Sequence, residues 1–176
     1  MTSSKEVPFP SSEYIPECHD RYTDIAAYDV PKYLDGLAKK YNMHFKLISA
    51  TEHAMFNDKC CIIIGIDRRD GVILNMTFLE NGRRTEYIMN GYLINKFDDP
   101  DRYSLFHDCV PTDENIRNQL TMVSRGLDSK WSDLLNGDMN WFEDFKKTSF
   151  YYELKVGLEY RNKILEEIIA WQQAQK

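Results

Sequence analysis

With 176 residues, 43% of them hydrophobic and 13% aromatic, the chain is long enough for one domain with its own core and too aromatic to be disordered over most of its length. A formal net charge of −6 argues against a nucleic-acid-binding face, which needs a basic stripe to release counterions, and makes a basic protein the better expectation for a partner. No run approaches the ~18 apolar residues of a membrane span, the first residues lack the basic-then-apolar order of a secretory signal, and four irregularly spaced cysteines suit a reducing compartment, so a cytoplasmic protein without membrane association is expected.

Residues 1–17 carry Pro8, Pro10 and Pro16 among serines, the composition of a mobile arm that packs, if anywhere, through Phe9 and Tyr14. A single α+β domain is expected over residues 18–176. From Asp29 the pattern becomes helical. Pro31 falls in the first turn, Tyr33, Leu34, Leu37, Ala38 and Tyr41 recur at three- and four-residue spacing, and Asn42 is placed to stop the helix. Four strands follow, over Met43 to Ala50, Lys59 to Asp67, Val72 to Glu80 and Arg84 to Phe97. Arg68-Arg69-Asp70-Gly71 and Asn81-Gly82-Arg83 have hairpin chemistry, and no crossover helix separates the strands, so the sheet is predicted to be an antiparallel meander.

Thr112 can cap a helix running to Gly126, with Ile116, Leu120 and Val123 on one side. A short helix is expected from Lys130 to Leu135 and another turn or two from Asn140 to Lys147. The last element reads as one long helix from Ser149 to Gln173, on a stripe through Leu154, Leu158, Arg161, Leu165 and Ile168 or Ile169. At 1.5 Å per residue it would reach roughly 37 Å. The expected fold is therefore α+β: a four-stranded antiparallel meander flanked by an N-terminal helix and several C-terminal helices.

The most suggestive chemistry is KCCIIIGIDRRDG, from Lys59 to Gly71. Along a strand, Cys60 shares a face with Ile62, Ile64 and Ile66, whereas Cys61 shares the other with Ile63, Gly65 and Asp67. The two thiols cannot form one face of a metal site, and Cys60 reads as a small buried hydrophobe. Cys61 is left open, because its side of the strand ends at Asp67. Cys18-His19 with His107 and Cys109 have the residue types of a zinc site but not its spacing. Asp98, Asp99 and Asp101 lack the spacing of a calcium hand. No Gly-x-Ser-x-Gly, His-Glu-x-x-His or phosphate loop is present. No catalytic residue, metal or cofactor is assigned.

Charge is unevenly distributed. The span from Asp98 to Asp144 holds 11 acidic and 4 basic residues, against 13 and 12 in the stretch before it. Trp131, Trp141, Phe142 and Phe145 lie among these carboxylates, a mixture suited to desolvated anchors ringed by steering charge. Trp131 and Phe145 read better as core.

The order of a helix, the meander LISATE…KCCIIIGIDRRDGVILNMTFLENGRRTEYIMNGYLINKF, the acidic FDDPDR and further helices resembles the small acidic α+β immunity proteins that bacteria pair with secreted antibacterial toxins. The resemblance covers roughly residues 29–172 in style and transfers no functional residue. It implies an intracellular inhibitor that blocks a toxin's active site or docks beside it, with a basic toxin domain as cognate partner. The reading is thus a non-enzymatic binding protein that neutralises a bacterial toxin through an acidic surface. Asp98, Asp99, Asp101, Asp113 and Glu114, with Trp141 and Phe142, are the partner-binding candidates. Two alternatives stay open: a secretion-type chaperone, dimeric through its terminal helix, and a small enzyme using Cys61 or a histidine with a distant carboxylate.

Overall fold

A computed structural model describes residues 7–10, 29–67, 69–155 and 157–176. The fold is α+β, with five antiparallel strands in the order β1-β2-β3-β4-β5: β1 His44–Ser49, β2 Glu52–Phe56, β3 Cys61–Asp67, β4 Gly71–Glu80 and β5 Arg83–Ile88. The helices are α1 Asp29–Lys40, α2 Asn90–Ile94, α3 Asp113–Lys130, α4 Ser132–Leu135, α5 Asn140–Phe145 and α6 Glu159–Ala174. No helix among the described residues is long and apolar enough to cross a membrane.

Local chemistry accounts for most of the boundaries. Asn42 adopts φ 54° and Met43 N–H returns to the Ala38 carbonyl at 2.8 Å, ending α1 in a left-handed residue with the 6→1 bond of a Schellman stop. Asn81 and Gly82 take φ 52° and 75° between the paired residues Glu80 and Arg83, the signature of a two-residue hairpin whose twist matches its strands. The Thr112 hydroxyl accepts from Asn115 N–H at 3.2 Å and so caps α3.

Three expectations require correction. The sheet has five strands rather than four, because 52–56 form β2. Its residues His53 to Phe56 are buried on both faces, so it shows none of the polar–apolar alternation that marks a half-exposed strand. The strand expected to run to Phe97 stops at Ile88. There the Asn90 side chain substitutes for backbone pairing, accepting from Leu74 N–H and donating to the Val72 carbonyl, and the chain turns into α2. The terminal helix has 16 residues, or about 24 Å. Residues 151–155 instead carry no helix, and the Tyr87–Glu153 bridge, with bonds from Ile88 N–H to Tyr152 and from Leu154 N–H to Glu86, lays this aromatic run along the β5 edge.

Both faces of the sheet are covered. On one, α1, α2, α3, α4 and α5 pack Leu34, Leu93, Leu120, Leu135 and Phe145 against Met55, Ile62, Ile64, Leu74 and Met76. On the other, Leu165 and Ile168 of α6 meet Ile48, Ala54, Phe56, Cys61 and Ile63. Phe9 extends this second layer, its ring 5.7 Å from Phe56 and 5.5 Å from Trp171. Tyr14 lies outside the described residues.

Candidate functional site

The acidic segment begins where α2 ends. Phe97 turns inward and packs so closely on α3 that a Cβ at Gly126 would stand 2.4 Å from its ring. The chain after Phe97 is thereby held against α3, and its carboxylates meet the cations of that helix. Asp98 pairs with Lys130 at 3.0 Å and Asp99 with Arg125 at 3.0 Å. Asp99 also accepts from Asp101 N–H and, through its carbonyl, from Arg102, folding the loop back on itself. Residues Ser104–Asp108 form a π-helical turn. It is anchored by half-buried Leu105 and Phe106 and by Gln119, which donates to the Leu105 carbonyl and accepts from Val72 N–H.

This anchoring leaves two apolar side chains facing water. Tyr103 is 64% exposed and Val110 75%, in a segment whose Asp101, Asp108, Asp113 and Glu114 are also exposed. Asp113 and Glu114 occupy the first turn of α3, where the helix dipole favours negative charge. Of the five acidic candidates, Asp98, Asp101, Asp113 and Glu114 are exposed, Asp98 while paired with Lys130, and Asp99 is half-buried against Arg125 of α3. Tyr103 and Val110 were not legible as anchors, because neither stands out within YSLFHDCV.

Of the two aromatic candidates, Phe142 belongs to the core. At 8% exposure, it lies 5.1 Å from Phe78 and 5.4 Å from Tyr87 between ring centroids, so its ring is not offered to a partner. Trp141 is half-buried and lines a cavity of about 450 Å3 with Tyr92, Lys96, Lys130, Trp131 and Asp144. Trp131 is fixed by its indole N–H on the Leu93 carbonyl, while Trp141 Nε1 is enclosed without an acceptor among the described residues. Lys96 Nζ lies over the Tyr92 ring at 4.1 Å and 5.5 Å from that of Trp131, and it donates to Asp144 Oδ2 at 3.0 Å. The same oxygen accepts from the Tyr92 hydroxyl at 2.7 Å.

The titration of these groups follows from that geometry. Burial and the carboxylate neighbour raise Tyr92; hydrogen bonds from Tyr92 and Lys96 lower Asp144. Burial would lower Lys96, but the bonds to Asp144 and Tyr92 outweigh it and raise the net value, so an ammonium is held against a carboxylate and two ring faces. Lys130, paired with Asp98, joins this cavity to the start of the acidic segment. Tyr92 and Lys96 are four residues apart, a spacing that would have drawn attention had the segment been read as a helical turn.

The thiols are placed otherwise. Cys60 packs in the larger core and Cys61 beneath α6, each on the face that strand alternation assigns. Burial pushes Cys60 up to about 12 and Cys61 well above its ordinary value, the reverse of an activated nucleophile. The His107 ring lies 4.8 Å from that of Tyr103, tilted at 42°, Cys109 is partly exposed, and Cys18 and His19 lie outside the described residues. Among the described residues, no three His, Cys, Asp or Glu side chains gather as metal ligands.

Compared with family models, curated proteins and solved structures, the chain matches none.

Proposed function

We propose that this chain is a non-enzymatic binding protein that holds a basic protein surface against its acidic segment, in the manner of an immunity protein toward its cognate toxin domain. The observation that carries the reading is the pairing of Tyr103 and Val110, both mostly exposed, with outward-facing Asp101, Asp108, Asp113 and Glu114. Apolar anchors supply affinity once desolvated, and a carboxylate rim steers a cationic partner and speeds encounter. The toxin-inhibitor refinement rests on the resemblance of element order and on acidity, and it predicts a partner whose neutralised activity returns when the complex is taken apart.

The test is kinetic. With the partner recovered by co-purification at low salt, association should slow as ionic strength rises, and Asp101→Lys with Glu114→Lys should slow it further by at least about tenfold. Tyr103→Ala should act mainly on dissociation. Unchanged association with the charge-reversed protein, at a melting temperature close to wild type, would refute the surface.

A further inference from the structure

The cavity beside the acidic segment already contains a cation of the chain's own. Lys96 reaches back over Tyr92 and toward Trp131, and its ammonium is paired with Asp144 at 3.0 Å. Ring faces within about 6 Å attract a cation, most strongly when water is displaced, and a carboxylate beside them compensates its charge. The arrangement is therefore built around an alkylammonium group, and Lys96 occupies it in cis.

Lys96 is nonetheless an exchangeable occupant. Its side chain is 47% exposed and that of Asp144 62%, so their contact gains little over solvation. The cavity is lined by Trp141 and Lys130 as well, and its volume of about 450 Å3 leaves space beside the Lys96 side chain for a second one. We infer that this cavity is a receptor for a lysine side chain of the basic partner, with Lys96 as the internal stand-in that the incoming ammonium displaces. The inference rests on the proposed function for its partner and deepens it by naming where one basic residue of that partner is seated. Asp98, which pairs with Lys130 on the cavity wall, makes the cavity continuous with the acidic surface.

An internal occupant lowers apparent affinity by the fraction of time the site is open. Removing it should therefore reveal the site to a small probe, without the partner. Nα-acetyl-lysine methylamide is titrated against wild type, Lys96→Ala and Lys96→Arg, with the tryptophan indole signals followed by NMR. The expected result is about three- to fivefold tighter binding to Lys96→Ala than to wild type, no gain for Lys96→Arg, whose guanidinium refills the space, and loss of the gain in Lys96→Ala with Asp144→Asn. Acetyl-norleucine methylamide, the uncharged isostere, should not bind. Equal affinities for wild type and Lys96→Ala would overturn the proposal, as would binding of the norleucine probe or preference for acetyl-arginine methylamide over the lysine probe. Lys96 and Asp144 are surface side chains, and unchanged indole dispersion in the free variants certifies the fold. Reversal of Asp101 and Glu114 tests partner association alone and leaves this titration unmoved, so the two ideas fail separately.

Discussion

The two faces of the sheet are held by different physics. Beneath α1 and α3 the contacts are mainly apolar, with Leu34, Leu74, Leu120 and Val123 fully buried and with Gln119 and His53 as polar side chains buried among them. Beneath α6, an apolar cluster near β1–β3 gives way to charge near β5. Arg161 donates to both oxygens of Glu52 and both of Glu86 at 2.6–2.9 Å. Arg84 contacts Glu86 at 3.6 Å and Glu166 at 2.9 Å, and Asn75 donates to Glu86. Burial would lower the Arg161 pKa, but Glu86 and Glu52 outweigh it and raise it, so the guanidinium stays charged. A non-directional core tolerates exchange of like shapes, whereas a buried ion network tolerates loss of no single member. One face thus supplies bulk stability, and the other fixes where α6 lies.

The sharpest way to separate the faces is to remove Arg161, which is 5% exposed. Arg161→Met leaves Glu52 and Glu86 facing one another with Arg84 as the nearest remaining cation, and should cost about 4 kcal/mol in denaturant unfolding. Adding Glu86→Gln should restore a substantial part of that, because the unpaired charge is the main penalty. The corresponding change on the opposite face, Leu120→Ala, should cost about 3 kcal/mol through lost burial and a residual cavity, and no second polar substitution should recover it. Equal costs without rescue by Glu86→Gln would mean that the network is merely packing.

A third prediction uses pH. His53 lies on the α1–α3 side of β2, buried, with Nδ1 unpartnered among the described residues, and desolvation lowers its pKa from 6.5 to about 4. Between those values the unfolded chain binds the proton that the folded chain refuses, so stability rises with pH across this window and is lost as pH falls through it. From pH 7 to 5 the loss attributable to His53 is about 2 kcal/mol, and His53→Leu should remove that part of the acid sensitivity. If stability measured at pH 7 and at pH 5 differs equally in wild type and variant, His53 is not the group responsible.

These faces also explain what the sequence could disclose. Cys60 and Cys61 were assigned to opposite sides by alternation alone, and the structure places them there, because the alternation of β3 extends one residue back to Cys60. Asn42 and Asn81-Gly82 announced their turns through intrinsic backbone preference, and Thr112 announced its helix through a capping hydroxyl. What escaped was decided by distant partners. Strand β2 is covered twice and so looks like neither period. The 149–158 run has helix-like spacing, yet Tyr152 and Leu154 are claimed by the β5 edge. The cavity around Lys96 joins Tyr92 to Trp131 and Trp141, which no local pattern links. Trp141 was visible as a candidate, but the residue that gives it meaning sat in what read as a strand.

The smallest effect concerns the thiols, and it bears on which face opens first. In proteins lacking Cys18 and Cys109, with either Cys60 or Cys61 as the sole remaining thiol, alkylation at neutral pH should be slow for both, since each is buried and its pKa is raised. Reaction then reports opening of the covering layer rather than thiol chemistry. Among the described residues, Cys61 packs beneath α6, whose first turn is tied down through Arg161, whereas Cys60 lies under the larger apolar layer. Arg161→Met should consequently accelerate labelling of Cys61 more than that of Cys60, and Leu120→Ala should accelerate both alike, through global unfolding. Equal acceleration of the two thiols by Arg161→Met would show that α6 does not open independently, and the two faces would then be one cooperative unit.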